Sequence, residues 1–573
     1  MKFKDINFKD INFKKYTDVV RNRLISFLRA DKKNQIIFMA IFVVILIGAY
    51  KLFLSDNFDT NIFDDDNKEK NVKQEVILAI DNVRTLNPIV SHDKGVYQIT
   101  PLIFDSLFTL DENMTPQPLM VDSYTLDGTT LNIKLKNMKD HNNENITAED
   151  VVNTFKAIKN SANNSLYFDR VSGIKSISGS GSELKVEFLD KKVNLTSLTF
   201  PVLGFGNNSS FRDGINSDIK LKVAGTGRYV IKSFNESKGL KLEPFDAYHE
   251  GKAKNSIEVN ITNGYENNVK LVETSGISVL YTEDINIKSN LRNKDAEVKS
   301  IVSNDVEIIW FNNNNEFLKD DNFRSAIANA IDIDSIINDD YAETIKGTAG
   351  IFKKGYMTSD KTKRTSEYDL AVAKKDLKKA GYKDLDGDGV VDKKDKKSDK
   401  KISSRLNLLV ANDNFNRLEV ADRIKKDFNS IGVDINIVSV SKDVYLNNLK
   451  NKNFDICIGG ISLGEKMDIT EYFYSRGENN IANINNKKID ENLDKFNSET
   501  DIKKCRQYVQ AINDEIEKNR SIYCIGYKKY GIVKSPVIRG DINSTISNIY
   551  KGIETWYCEY DLNKTTEDEN KDK

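Results

Sequence analysis

Three short stretches of this chain combine residue types and spacings that could do chemistry. The first is the loop 384–395, DLDGDGVVDKKD. Asp384, Asp386 and Asp388 stand at loop places 1, 3 and 5, followed by Gly389 at 6, the Val390 carbonyl at 7, Asp392 at 9 and Asp395 at 12. A loop that wraps calcium spaces its oxygen ligands in this way, although Asp395 is shorter than the bidentate glutamate usual at the last place. A helical stretch precedes the loop, but a lysine-rich run follows where a second helix would stand. Structural calcium and a plain solvated acidic turn both fit that pattern. The second stretch, Gly460-Ile461-Ser462-Leu463-Gly464, satisfies G-x-S-x-G, the turn that exposes a nucleophilic serine. A hydrolase of that class needs a later histidine as base, and His92, His141 and His249 all precede Ser462. No catalytic residue is assigned, and the glycines are read as room for close approach of backbone to a ligand or a neighbouring element. The third is Trp310-Phe311-Asn312, an aromatic pair and an amide that suit either a cleft wall or core packing.

The elements that must position these residues begin outside the water-soluble part of the chain. Residues 36–54, IIFMAIFVVILIGAYKLFL, are long enough to cross a hydrocarbon core of about 30 Å, with Lys51 able to snorkel. Lysines and arginines crowd the preceding segment, and five aspartates follow between 56 and 66. That asymmetry predicts a cytoplasmic arm, one uncleaved span and a large extracytoplasmic body. The arm repeats FKDIN at 3–7 and 8–12, and 16–29 has the make-up of a helix lying on an anionic leaflet. With 39% hydrophobic and 30% charged residues and a formal net charge of -1, the chain lacks the basic excess that nucleic acid would require. Cys457 and Cys524 fall in apolar runs and read as small buried thiols, while pairing of Cys505 and Cys558 is left open.

Strands are predicted at 75–80, 130–135, 183–189, 229–234, 401–410, 433–440 and 455–460. Helices are predicted at 96–108, 147–159 (opened by a Thr147/Asp150 capping box), 320–332, 416–430 and 442–450. Strands alternating with helices after residue 400 predict a mostly parallel sheet there.

The order of landmarks resembles the dipeptide/oligopeptide/nickel-binding branch of the ABC-transporter solute-binding proteins. The opening strand and L-x-P turn match 76–88, and IFDSLFTLD (103–111) matches the helix exit. PLMVDSY (118–124) ends in Tyr124 where the family has Trp, and HNNENITAEDV (141–151) matches F-H-D-G-x-x-x-T-A-E-D-V. Gly225-Thr226-Gly227-Arg228-Tyr229 replaces the proline of G-T-G-P-Y by Arg228. FDAYHEGK (245–252) puts His249 where the family has Trp, and DDNFRSAIANAID (320–332) matches the family helix. The histidines sit at landmark positions of that scaffold, so no zinc or nickel cluster is expected from them.

The resemblance implies an α/β, two-lobed periplasmic-binding-protein-like fold with an extra subdomain. The expected boundaries are a basic arm 1–34, a transmembrane helix 35–55, an acidic linker 56–73, lobe 1 at 74–305 with an insertion at about 110–215, lobe 2 at 306–528, a return to lobe 1 at 529–560 and a disordered tail 561–573. The chain would cross between lobes near 306–312 and 524–533. In the family the loop matching 459–468 reaches into the cleft, where an aspartate meets the peptide ammonium about three residues beyond a tryptophan. Ile461 takes the tryptophan place here and Gly464 the aspartate place, with Glu465 or Asp468 as substitutes. The expected ligand contacts are therefore Trp310, Phe311, Asn312, Gly459, Gly460, Ile461, Ser462, Glu465 and Asp468. The expected role is capture of peptides or similar solutes, as a membrane-anchored monomer, for an ABC permease; a sensor or scaffold that kept the fold is the alternative. No cofactor is expected beyond the calcium reading.

Overall fold

The computed structural model describes residues 70–561 apart from 82, 190–192, 206–223, 263, 357–362, 395–398 and 500. The arm, the span, the linker up to residue 69, the tail beyond 561 and Asp395 lie outside the described residues. Among the described residues no helix is long and apolar enough to cross a membrane. Asn71–Tyr560 forms one compact unit.

The first half opens with the strand Glu75–Ile80, whose alternating half-buried and buried residues put Val76, Leu78 and Ile80 on one face. It pairs in parallel with Ser256–Ile261, and Gly239–Pro244 and Tyr229–Asn235 extend that sheet antiparallel. A second sheet of four antiparallel strands orders Val121–Asp127, Thr130–Leu135, Glu183–Phe188 and Ile174–Ser180. Helix Ala148–Ser161 covers it, opened by the expected capping box. The Thr147 N–H donates to Asp150 Oδ2 at 2.8 Å, and Asp150 Oδ1 also accepts from the Phe205 N–H at 2.7 Å. Leu131, Ile133 and Val186 of this sheet share one apolar core with Val76, Leu78 and Ile257 of the first. The helix expected at 96–108 is shorter: Lys94–Ile103 ends at an extended Phe104, and Phe108–Leu110 is a strand.

The second half is organised by one mixed sheet. Its order is Val279–Thr282, Ile522–Lys534, Glu297–Phe311, Ile456–Ser462, Arg405–Ala411 and Asp434–Val440, with Ile345–Gly347 also on Ile522–Lys534. Only the last three of that series pair in parallel; the others pair antiparallel. The expected parallel sheet is thus confined to the strands joined by helices Phe415–Ser430 and Lys442–Lys450, because only a helical crossover returns the chain in the same direction. The fifteen-residue strand Glu297–Phe311 and the thirteen-residue strand Ile522–Lys534 pair along their length. Their early and late ends touch different cores: Ile301, Tyr530 and Ile532 join the first-half core, whereas Ile309, Phe311 and Ile525 join the second. The predicted helix 320–332 forms as Asp321–Ala328, and a short turn Ile333–Ser335 follows.

Candidate functional site

A cavity lies against helix Lys94–Ile103 and the turn after it, which the Gly225–Gly227 turn braces from behind. The turn explains its own sequence. The Thr226 and Gly227 N–H groups both donate to the Ile103 carbonyl, at 3.1 and 2.9 Å, and a Cβ at Gly225 or Gly227 would collide with that backbone. Between the glycines, Thr226 Oγ1 accepts from the Asp105 N–H at 2.8 Å and donates to the Val202 carbonyl at 3.0 Å. The helix end, Asp105 and the strand Tyr229–Asn235 are thereby held as one piece.

The cavity has a volume of about 380 Å³, with a wall of Tyr97, Asp105, Arg170, Arg228, Tyr248 and Glu465 among others. Asp105 is buried and accepts from Tyr248 Oη at 3.2 Å, and it meets His249 Nε2 at 3.1 Å. Burial raises its carboxyl above the usual aspartate range, and His249 draws it back. Arg228 lies over the Tyr248 ring at 4.4 Å and bonds Glu250 at 3.1 Å. Arg228, which replaces the proline of the family turn, thus lines this cavity, and His249, which replaces a tryptophan, stands against Asp105.

Glu465 closes it. Its Oε1 accepts from Tyr97 Oη at 2.6 Å and its Oε2 lies 2.9 Å from Arg170 Nη2. Arg170 also stacks on Tyr167 at 5.0 Å and bonds Thr199 Oγ1 at 2.9 Å. Next to it, Lys466 Nζ donates to the Asp169 carbonyl at 2.6 Å. Burial, then the Glu465 charge, push the Tyr97 hydroxyl up to about 12. Burial alone would lower Arg170, but Glu465 outweighs it and holds the guanidinium charged. A ligand ammonium seeking Glu465 would compete with Arg170 for it.

Of the nine expected contacts, only Glu465 lines this cavity. Trp310 and Phe311 are 1% and 0% exposed and belong to core clusters on opposite faces of the mixed sheet, as strand alternation requires. Trp310 Nε1 donates to the Gly459 carbonyl at 3.0 Å, so both residues are core rather than cleft wall. Asn312 spends its amide on the Phe454 carbonyl at 2.8 Å. Gly459 is buried against Tyr445, and Gly460 lies against Glu307 and the Val306 carbonyl. Ile461 is half-buried in the strand and Ser462 is exposed at its end, paired with Asp305. Asp468 accepts from the Thr470 N–H at 2.9 Å. No helix follows Ser462 directly, the next being Thr470–Phe473, so the strand-to-helix geometry of a nucleophile elbow is missing. All four cysteines are buried, unpaired thiols. The residues sequence reasoning missed are Tyr97, Asp105, Tyr167, Arg170, Arg228 and Tyr248; the arginine in place of the turn's proline was the one available signal.

The model of the bacterial extracellular solute-binding proteins, family 5 (middle), matches residues 115–483, more than half of the chain. The oligopeptide-binding protein AppA of Bacillus subtilis is 24% identical over 417 residues, covering 70% of this chain and 75% of AppA. The nickel-binding protein NikA of Staphylococcus aureus is 23% identical over 410 residues, covering 70% and 78%. Among solved structures, the murein tripeptide-binding protein MppA in its unliganded open form superposes with a TM-score of 0.73 at 18% identity, covering 85% of this chain and 98% of MppA. AppA with a nonapeptide gives 0.55 at 20% identity, covering 85% of this chain and all of AppA. With its landmarks in family order and its α/β architecture shared with these structures, the chain belongs to family 5 of the bacterial extracellular solute-binding proteins.

Proposed function

We propose that this protein captures short peptides or similar small solutes outside the cytoplasmic membrane and delivers them to the permease of an ABC importer. The observation that carries the reading is Glu465, on the loop after strand Ile456–Ser462, reaching across to Tyr97 and Arg170 in the cavity of the first half. That arrangement suits capture by closure of one lobe on the other, with Glu297–Phe311 and Ile522–Lys534 as the hinge strands and lobes at 74–305 with 529–560 and at 306–528. A volume of about 380 Å³ falls at the small end of ligand sites. Carboxylates and guanidinium groups together on its wall suit a ligand bearing both charges. AppA binds oligopeptides and NikA nickel; a wall with Glu465, Arg170 and Arg228 and without a histidine among its residues favours the peptide over a nickel chelate. The protein acts without catalysis, as a monomer tethered by the span 36–54.

Native mass spectrometry of the purified chain, with identification of whatever denaturation releases, tests this reading. Co-purified short peptides, and a rise in melting temperature with the same peptides added back, are expected. Absence of both peptide release and stabilisation by peptide pools would move the assignment to a sensor or scaffold.

A further inference from the structure

The acidic loop lies outside the cavity and plays no part in solute capture as proposed. Its start is already folded as a cation loop would be: Asp384 accepts from the Gly387 N–H at 2.7 Å and the Gly389 N–H at 2.9 Å, and Asp388 accepts from the Val390 N–H at 2.9 Å. One oxygen from each of Asp384, Asp386 and Asp388 lies within 4.8 Å of the others, all on exposed residues. Such a cluster alone is ordinary. Asp392 makes it unusual, because this residue is 0% exposed and its Oδ1 has no hydrogen-bond partner. Its other oxygen accepts from the Leu385 N–H at 2.9 Å, which turns the carboxylate into the loop. The ammonium of Lys401 contacts Asp386 and stands 3.8 Å from Asp392 Oδ1, so the two carboxylates face one cation position. Three of the four carboxylates meet a cationic side chain, Asp386 and Asp392 the Lys401 ammonium and Asp388 the Arg405 guanidinium, and Arg405 is shared with Asp434. Among the described residues in ion-pair contact with the loop, negative charge exceeds positive.

We infer that the loop 384–392 is a calcium site in which Asp384, Asp386, Asp388 and Asp392 supply the carboxylate oxygens and the Lys401 ammonium is a built-in competitor for the ion. A carboxylate buried to 0% exposure without a hydrogen bond on one oxygen is costly unless a charge serves it, and an ammonium at 3.8 Å serves it poorly. A hard divalent cation drawn to oxygen and tolerant of irregular geometry would sit among the three clustered oxygens, with Asp392 facing it from the side that the Lys401 ammonium now takes. Calcium suits this loop better than magnesium, which demands strict octahedral geometry and sheds water reluctantly. The loop joins helix Leu370–Lys379 to the small hairpin Asp392–Lys394/Lys401–Ser403, so the ion would pin that corner of the second half. Its affinity belongs with extracellular modules, at a Kd on the order of 10⁻⁴–10⁻³ M.

The test is calorimetric titration of calcium chloride into the full chain stripped with chelator, together with the melting temperature in each state. One bound ion and a calcium-dependent rise in melting temperature are expected for the natural chain. Lys401→Met removes the competing ammonium and should tighten binding about tenfold. Asp386→Asn with Asp388→Asn, both exposed, should abolish binding while leaving peptide-dependent stabilisation intact, which separates this outcome from a failure of the solute-binding reading. Absence of binding by both the natural chain and Lys401→Met up to about 10 mM overturns the inference, that being well above the expected range. So does equal binding by the double aspartate variant, or an equal affinity for magnesium.

Discussion

Glu307 and Glu465 are each gripped by an arginine and a tyrosine, in different settings. Glu307, its side chain 1% exposed, takes two bonds from Arg417 at 2.9 and 2.8 Å, a third from Tyr341 at 3.2 Å, and lies 3.1 Å from Lys528. Those partners stand on or beside regular elements packed on the same sheet, around strand Glu297–Phe311, helix Phe415–Ser430 and strand Ile522–Lys534. Glu465, 21% exposed, meets Arg170 and Tyr97 from a loop, across a cavity wall. Burial by itself would raise the Glu307 carboxyl, but Arg417 and then Lys528 outweigh it and hold it below the ordinary range. The same chemical trio is structural where its members are fixed by one core and available to a ligand where they come from separately supported segments.

The sharpest way to break this comparison is Glu307→Gln. Leaving Arg417 and Lys528 without their carboxylate should cost about 3–5 kcal/mol in chemical denaturation, and a loss under about 1 kcal/mol would make the two sites energetically alike. Acid sharpens it next. His141 is lowered to about 4 by burial, against which its bond to the Gly227 carbonyl works, so the fold keeps it neutral while the unfolded chain takes up a proton near pH 6.5. Its contribution is therefore intact above about pH 6.5 and is lost as pH falls toward about 4. Glu307, whose pKa is depressed, contributes stability above the ordinary carboxylate pKa of about 4.3 and loses it only below that, as pH falls through the folded value. Thermal melts should show these as separate legs, and His141→Gln should remove the upper one.

A smaller effect on stability, and a larger one on ligand, is expected at the cavity. Arg170→Met and Glu465→Gln should each change unfolding free energy by about 1 kcal/mol, as for a partly exposed pair. Arg170→Met frees Glu465 and should strengthen binding of peptides with a free ammonium about tenfold over their N-acetylated forms, measured by calorimetry. No such preference would mean that Glu465 only latches the protein to itself. Smallest of all, Ser462→Ala should shift stability by less than about 0.5 kcal/mol and leave peptide binding unchanged.

Periodicity and capping made most elements legible: the alternating face of Glu75–Ile80, the capping box at Thr147, and helix Lys442–Lys450 lie where the pattern puts them. The cavity was far less legible. Its wall draws on residues more than three hundred positions apart, such as Tyr97 and Glu465, each unremarkable in its own window. Trp310 and Phe311 looked like binding residues because aromatic side chains suit both cores and clefts, and only their burial between two packed faces separates the cases.

By itself the sequence determined local matters: where strands and helices start, and the oxygen spacing of the 384–392 loop. These follow from steric limits and short-range hydrogen bonds that act within a few residues. Tertiary structure alone decided that Glu307 is a buried strut and Glu465 the closing residue of a cavity. It also decided that the Asp392 carboxylate is sealed from water with one oxygen unbonded. Burial and charge pairing depend on which distant segments meet, and the strength of every such interaction is set by how far water is excluded there.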